Sequence, residues 1–259
     1  MNFLKKLPAP LINYWGNRIE KKHFHQPPLV IGGCGRSGTT LLLSILSAHP
    51  HIFGITRELG MFNLWDKNTK SLSPSYLPHR MDRFYRYMIS HKIDQKATRW
   101  CEKTPFNVLS FEKILDYYEN RIKLIHIIRD GRDVLTSRHP KEPFVYWVDI
   151  ERWVADVNAG LKLKDHPQVH TLRYEELVRN FDTTMQKLCE FLEEEFVPEL
   201  HNWYEHTKVR NNKAWYNRVE KLHPKSIGKW QKDKYRDRVN EIMDHPQAVD
   251  LLKQLDYLN

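Results

Sequence analysis

Glycines and hydroxyl side chains are concentrated in one short segment, residues 32–40, which reads Gly-Gly-Cys-Gly-Arg-Ser-Gly-Thr-Thr. The segment follows an apolar run at residues 28–31 and precedes a helical pattern that begins at Leu41. A glycine-rich turn between a strand and a helix directs backbone N–H groups and the positive end of the helix dipole toward an anion. The segment therefore predicts a cradle for a phosphate or a phosphate-like group.

This turn departs from the ATP-binding pattern G-x-x-x-x-G-K-[ST] at one important position. Gly33 and Gly38 match the two glycines, but Thr39 stands where that pattern has a lysine. The lysine normally reaches the β- and γ-phosphates of a nucleoside triphosphate. Arg36, inside the turn, supplies a cation instead. The P-loop-like turn thus favours a phosphate-like ligand other than the ATP tail.

A second predicted strand end also carries charged and hydroxyl side chains. Residues 123–128 form an apolar run typical of a buried parallel strand, and Arg129 follows directly. Because ligands of open α/β sheets bind beyond the carboxyl ends of strands, Arg129 and Ser137 are candidates to bind a second phosphate. The alternative is a capped helix, with Asp130 or Asp133 as the cap and Arg129 in a surface ion pair.

The elements that must hold these turns alternate between strand-like and helix-like patterns. Apolar runs predict strands at residues 28–31, 123–128 and 170–174, with a further short apolar segment at 52–55. Helical patterns begin at Leu41 and Val134 and cover residues 81–89, 109–118, 144–164, 183–192 and 236–255. This alternation predicts a single α/β domain, with a parallel β-sheet flanked by helices.

Size and charge limit the classes of partner. The chain of 259 residues is long enough for one domain with its own core. Its net charge of +9 indicates an anionic ligand, an anionic polymer or a solvated basic surface. Since no recognisable nucleic-acid-binding motif accompanies that charge, we expect no nucleic-acid partner.

Signals for metals, disulfides and membranes are weak. The three cysteines are far apart and odd in number, which favours a reducing compartment. The pairs His23 with His25 and His201 with His206 lack the i, i+4 spacing of two ligands on one helical face, so we expect no metal. The apolar stretch at residues 7–13 is too short for a signal sequence, and no run reaches transmembrane length. We therefore predict a cytoplasmic location.

Two of these segments together resemble a known family. Residues 35–42 and 127–137 resemble the two cofactor signatures of sulfotransferases that use 3′-phosphoadenosine 5′-phosphosulfate (PAPS). Segments that resemble the same superfamily follow in consistent order at residues 57–62, 101–106, 173–192 and 226–230. The motifs are most similar to the glycan and protein-tyrosine branches. The resemblance implies a sulfotransferase domain at residues 28–259, preceded by an N-terminal extension at residues 1–27.

The resemblance also implies which residues bind PAPS, the nucleotide cosubstrate. The 5′-phosphosulfate would lie in the glycine turn, against Gly35, Arg36, Ser37, Gly38, Thr39 and Thr40. The 3′-phosphate would contact Arg129 and Ser137, and Gly228 and Lys229 would close a loop over it.

The catalytic residues implied by the resemblance are Glu58, Lys103 and Arg36. Glu58 matches the general base of the glycan branch, while Lys103 and Arg36 would neutralise charge on the departing phosphate oxygen. Sulfotransferases that act on small molecules have a histidine base where this chain has Pro105, which cannot accept a proton. The alternative for Glu58 is a surface ion pair with Arg57 or Lys103.

The implied activity is in-line transfer of a sulfuryl group to a hydroxyl or amine of a glycan, a peptide tyrosine or a small metabolite. Two alternatives remain at this stage: a P-loop kinase that uses ATP and magnesium, and a nucleotide-binding protein without turnover. Trp215 and Tyr216 are candidates to contact the acceptor, although an ordinary polar loop remains the favoured interpretation. The sequence predicts neither the acceptor nor the oligomeric state.

Overall fold

The structure is a computed structural model that describes residues 7–63, 80–139, 142, 144–209, 222 and 224–258, with the backbone of 65–66 and 71–72. Five parallel strands form the central sheet: β1 Leu29–Gly32, β2 Ile52–Gly54, β5 Arg99–Lys103, β6 Lys123–Ile128 and β7 Val169–Arg173. Their order across the sheet is β2-β5-β1-β6-β7. The two-residue strands β3 Trp65–Asp66 and β4 Ser71–Leu72 pair separately and antiparallel. The predicted single α/β domain with a parallel sheet is confirmed.

Helices connect the strands and cover the sheet. They are α1 Ala9–His23, α2 Thr39–Leu46, α3 Met81–Ile89, α4 Phe111–Tyr117, α5 Gly131–Leu135, α6 Ile150–Leu161, α7 Tyr174–Arg179, α8 Phe181–Leu192, α9 Pro198–His201, α10 Trp203–His206, α11 Arg236–Met243 and α12 Pro246–Gln254. Short 3₁₀ turns occur at Pro105–Ser110, Pro224–Ser226, Lys229–Gln231 and Asp233–Tyr235.

The central strand β1 is buried along its whole length because helices cover both faces of the sheet. Val30 belongs to one apolar core cluster, whereas Leu29 and Ile31 belong to another. The register places Ile31 beside Lys103 on β5 and beside Ile125 on β6. The carboxyl ends of these three strands therefore lie next to one another, at the edge where the glycine turn begins.

Helix α1, in the predicted N-terminal extension, packs against α3. Its residues Ile12 and Gly16 are buried, and a Cβ atom on Gly16 would lie only 2.2 Å from Cγ of Tyr85. The carboxylate of Glu20 accepts hydrogen bonds from Trp100 Nε1 at 2.8 Å and from the Tyr85 hydroxyl at 2.9 Å. The extension is thus anchored to the core, and the boundary predicted at residue 27 stays a prediction.

Three of the predicted helices have wrong boundaries, which a capping carboxylate explains in two cases and a proline in the third. The helix predicted from Val134 begins at Gly131, because the Asp130 carboxylate accepts a hydrogen bond from the Arg132 N–H at 2.9 Å. The helix predicted at 144–164 begins at Ile150, where Asp149 is the cap. The helix predicted at 236–255 is two helices, since Pro246 lacks the N–H that a continuous helix would need.

Candidate functional site

The glycine turn between β1 and α2 is tightly packed. Gly33 has φ +150°, and a Cβ atom there would lie 2.5 Å from the carbonyl oxygen of Ile127. Gly38 has φ +99° and precedes α2, and its Cβ would lie 2.5 Å from Cδ2 of Tyr174. Only glycine fits these two positions, and the turn they form leads into the N-terminus of α2, where the first N–H groups of a helix are suited to bind an anion.

Two polar side chains of the turn fit an anionic ligand. Arg36 adopts a left-handed backbone conformation with φ 71°, and its guanidinium lies 5.8 Å from the ring centroid of Trp147. Ser37 Oγ is buried, and none of the described residues hydrogen bonds to it. A buried hydroxyl without a protein partner is unusual and suits a ligand contact.

Arg129, at the end of β6, lies against the turn. Its Nη1 donates a hydrogen bond to the backbone oxygen of Arg36 at 3.1 Å, and its Nη2 donates to the backbone oxygen of Ser226. The guanidinium also stacks over the ring of Tyr174, 4.2 Å from its centroid. Arg129 is only 6% exposed, and its Nη2 lies 3.7 Å from Asp133 Oδ2, so its ion pair is buried and not at the surface as the alternative had it.

The segment that contains Gly228 and Lys229 folds over the start of α5. Lys229 Nζ donates a hydrogen bond to Ser137 Oγ at 2.7 Å, which brings two predicted site residues into direct contact. The buried carboxylate of Asp133 accepts hydrogen bonds from the N–H groups of Gly228 at 2.8 Å and Trp230 at 3.2 Å. Asp133 therefore anchors this segment, whereas Asp130 is the helix cap.

Positive charge is concentrated at this junction. Burial lowers the pKa of Lys229 to about 8, and the nearby Arg129 and Arg36 contribute to the shift. Asp133 opposes the shift but does not cancel it. Three cations that repel one another beside a glycine turn form a favourable site for an anion, because a bound negative charge would relieve the repulsion.

Lys103 and Glu58 form an ion pair at the neighbouring strand end. Lys103 is the last residue of β5, and its Nζ lies 2.5 Å from Glu58 Oε1. The lysine side chain is 1% exposed, while that of Glu58 is 50% exposed. Arg57, the other partner considered for Glu58, instead lies over the ring of Tyr87, 5.3 Å from its centroid. The ion pair therefore joins a buried ammonium group to a carboxylate that is half exposed to solvent.

A buried carboxylate that the sequence analysis did not single out positions this pair. Glu102 Oε1 accepts hydrogen bonds from the Leu59 N–H at 3.3 Å and from Thr104 Oγ1 at 2.6 Å. Its Oε2 accepts from Asn107 Nδ2 at 2.7 Å, and the same amide donates to the backbone oxygen of Ile31 at 3.3 Å. Burial raises the pKa of Glu102, although these hydrogen bonds act to lower it. Glu102 thus connects the Glu58 segment to the ends of β5 and β1.

Two further side chains flank the turn and were not predicted as site residues. A Cβ atom on Gly35 would lie 3.4 Å from Arg152 Nη2 and 3.5 Å from Trp147 Nε1. Arg152 forms an ion pair with Asp156 at 3.4 Å, and burial raises the pKa of Asp156 to about 6. Neither Arg152 nor Trp147 belongs to a sequence motif, and only the fold brings α6 and the residues just before it to the turn.

One group of three potential metal ligands occurs among the described residues: His49, His51 and Glu194. Its members bond to one another, since His51 Nδ1 lies 2.9 Å from Glu194 Oε2 and His49 Nδ1 accepts from the His51 N–H. The guanidinium of Arg99 lies 3.0 Å from the same carboxylate. This adjacent cation disfavours the binding of a metal ion, which would bring a second positive charge.

The predicted acceptor contacts, Trp215 and Tyr216, lie outside the described residues.

Comparisons with known proteins show the family of the chain and its fold. A sequence profile described as the sulfotransferase family matches residues 27–198. The chain belongs to the sulfotransferase family. Among solved structures, the sulfotransferase domain of the Synechococcus PCC 7002 olefin synthase has a TM-score of 0.62 at 18% identity, covering 91% of this chain and 97% of that domain. Mouse sulfotransferase SULT7A1 complexed with PAP has a TM-score of 0.51 at 15% identity, covering 90% and 89%.

The curated sulfotransferases that match in sequence include protein-tyrosine sulfotransferases. Protein-tyrosine sulfotransferase A of Caenorhabditis elegans is 26% identical over 192 residues, which are 64% of this chain and 50% of that protein. Protein-tyrosine sulfotransferase 1 of Rattus norvegicus is 27% identical over 151 residues, 53% of this chain and 40% of that protein. The alignments thus span about half the length of these relatives.

The predicted cytoplasmic location was wrong. It was based on scattered cysteines and on the lack of a long apolar run, whereas the protein-tyrosine sulfotransferases that match this chain are Golgi membrane enzymes. Among the residues that the structure describes, no helix combines the length and the apolar character needed to cross a bilayer.

Proposed function

We propose that this sulfotransferase moves a sulfuryl group from PAPS to a hydroxyl or amine group of an acceptor. The observation that carries the proposal is the junction of two sites: the cluster of Arg36, Arg129 and Lys229 beside the glycine turn, and the Lys103–Glu58 pair at the next strand end. PAPS has two anionic groups, a 5′-phosphosulfate and a 3′-phosphate, and the cluster offers cations for both. The PAP named in the mouse structure supports a nucleotide of this class.

Different residues of the chain would bind the two anionic groups of PAPS. The turn, with Gly35, Arg36, Ser37, Gly38, Thr39 and Thr40, would hold the 5′-phosphosulfate through N–H groups and hydroxyls. Arg129, Ser137, Gly228 and Lys229 would hold the 3′-phosphate. Ser137 and Lys229 already bond to each other, so both donors point to one place, where a phosphate would add an ion pair with Lys229.

Glu58 would act as the general base. Its carboxylate takes the acceptor proton while the acceptor oxygen or nitrogen forms a bond to sulfur and the bond from sulfur to the bridging phosphate oxygen breaks. Negative charge then grows on that bridging oxygen, where Lys103 and Arg36 would neutralise it. An ammonium group has three N–H donors, so Lys103 can hold Glu58 and also donate to the departing oxygen.

Calorimetric titration with adenosine 3′,5′-bisphosphate tests cosubstrate binding. We expect metal-independent binding, and Lys229→Ala should weaken it about 10- to 100-fold, as expected for loss of a charged hydrogen-bond donor. Lys225→Ala, at an exposed lysine of the same segment, is the matched control and should bind like the parent chain. Magnesium-dependent binding of ATP without binding of the bisphosphate would instead favour the kinase alternative.

Turnover requires its own test, in which transfer of labelled sulfate from PAPS to glycan, tyrosine-peptide and phenolic acceptors is measured. Peptide tyrosine is included because the curated relatives are named protein-tyrosine sulfotransferases. Glu58→Gln should abolish transfer while leaving bisphosphate affinity unchanged. Equal turnover in this variant would remove Glu58 as the base, and loss of bisphosphate binding would mean that it has another role.

A further inference from the structure

Helix α1 exposes three large apolar side chains on one face. Leu11, Tyr14 and Trp15 are 48%, 57% and 57% exposed, although Ile12 and Gly16 of the same helix are buried against the core. Positions i, i+3 and i+4 of a helix are neighbours on its surface. The three side chains therefore form one continuous apolar patch, whereas single exposed apolar residues are common and need no partner.

Basic residues continue this face toward the end of the helix. Arg18 Nη1 donates a hydrogen bond to the Tyr14 hydroxyl at 3.0 Å, and Lys21 and Lys22 are exposed in the last turn. The one acidic residue of α1, Glu20, bonds inward to Trp100 and Tyr85. The outer face of α1 thus combines an apolar patch with three cations and carries no outward carboxylate.

We propose that this outer face, formed by Leu11, Tyr14, Trp15, Arg18, Lys21 and Lys22, binds the surface of an anionic lipid bilayer. Tryptophan and tyrosine favour the headgroup level of a membrane, a leucine reaches the acyl boundary, and lysine and arginine are attracted to anionic headgroups. A nucleic acid or an acidic protein would use the cations but leave the apolar patch in water. A neutral apolar partner would cover the patch but leave the cations without partners. An anionic bilayer accommodates both.

Vesicle co-sedimentation of the full chain tests the proposal. We expect binding to vesicles of mixed phosphatidylcholine and phosphatidylglycerol, and little binding to phosphatidylcholine alone. Leu11→Ser with Trp15→Ser should weaken binding at least tenfold. Lys21→Gln with Lys22→Gln should weaken it about 30-fold, from about 1 kcal/mol for each basic residue near an anionic surface. Phe144→Ser is the matched control, because Phe144 is 91% exposed but lies outside α1, and it should bind like the parent chain.

Three results of the vesicle experiment would overturn the proposal. They are no binding to anionic vesicles, binding that both α1 double variants retain, and binding that Phe144→Ser weakens equally. Equal binding to heparin that only the lysine variant weakens would identify a polyanion instead. All variants should keep their affinity for adenosine 3′,5′-bisphosphate, which shows that they are folded. Since that ligand reports on the sulfotransferase site and the vesicles report on α1, the two proposals can fail separately.

Discussion

The pKa of Lys229 makes bisphosphate affinity depend on pH in a way that can be calculated. With a pKa of about 8, in place of the ordinary 10.5, this lysine loses its proton within the range of simple binding experiments. About nine tenths of the free protein carries the Lys229 charge at pH 7, and about one tenth does at pH 9. A phosphate bound beside the ammonium group raises its pKa, so the complex keeps the proton throughout this range.

The affinity must therefore fall as pH rises. Above pH 8 the free protein has lost the proton that the complex holds, so binding takes up a proton and its free energy becomes less favourable by about 1.4 kcal/mol for each further pH unit. Between pH 7 and pH 9 the dissociation constant should rise about tenfold. At pH 8, where the free lysine is half protonated, each binding event should take up about half a proton.

Calorimetry at pH 7, 8 and 9, repeated at pH 8 in two buffers of different ionisation enthalpy, measures both quantities. Lys229→Arg is the informative variant, because a guanidinium keeps its charge to well above pH 9 and should give a flat dependence. A flat dependence in the parent chain would refute the shifted pKa. A tenfold fall that Lys229→Arg retains would assign the proton to another group.

Three further predictions concern the fold around the site. Gly38→Ala should lower the free energy of unfolding by about 1–3 kcal/mol, because φ is +99° and the added methyl group meets Tyr174, which thermal unfolding would measure. Glu102→Gln should lower the free energy of unfolding by about 1–3 kcal/mol, because the new amide NH₂ group would face the NH₂ group of Asn107. Adding Asn107→Asp supplies an acceptor for the new NH₂ group and should recover part of that stability, as measured by urea denaturation. The pKa of Asp156 is raised to about 6 in the folded protein, so between pH 4 and 6 the folded state holds a proton on this carboxyl that the unfolded state has lost. The free energy of unfolding should therefore fall by up to about 3 kcal/mol as the pH rises through this range. Asp156→Asn should lack that fall when melting temperatures are compared across this range.

The parts of the fold that were predictable depend on local signals. The helix at Met81–Ile89 and the strand at Lys123–Ile128 have the predicted bounds, because apolar periodicity and apolar runs are properties of adjacent residues. The break at Pro246 was missed, although proline is itself a local signal, because apolar residues continue the helical pattern on both sides. The capping residue Asp149 was missed for a similar reason, since the apolar side chains before it suggested more helix.

The contacts that shape the site were not predictable, because they join residues distant in sequence. Nothing local indicates that the Asp133 carboxylate would accept hydrogen bonds from Gly228 and Trp230, which are 95 and 97 residues away. The motif resemblance placed Lys229 and Ser137 at the same phosphate, but their direct hydrogen bond follows from the return of the chain over α5. The lowered pKa of Lys229 depends on that return and could not be anticipated from its neighbours in sequence.

The two halves of the site are held in different ways, with a consequence for catalysis. Arg36 and Arg129 follow adjacent strands, so the ladder between β1 and β6 fixes these two cations, while Asp133 anchors the segment that carries Lys229. Glu58 instead follows β2, the edge strand, and its carboxylate pairs with Lys103 at the end of β5. The hydrogen bonds from the Leu59 N–H and Asn107 to the Glu102 carboxylate help to set its distance from the cluster. Loosening Glu102 should therefore disturb proton transfer before it disturbs nucleotide binding, and a lower turnover number at unchanged bisphosphate affinity would distinguish this positioning role from general destabilisation.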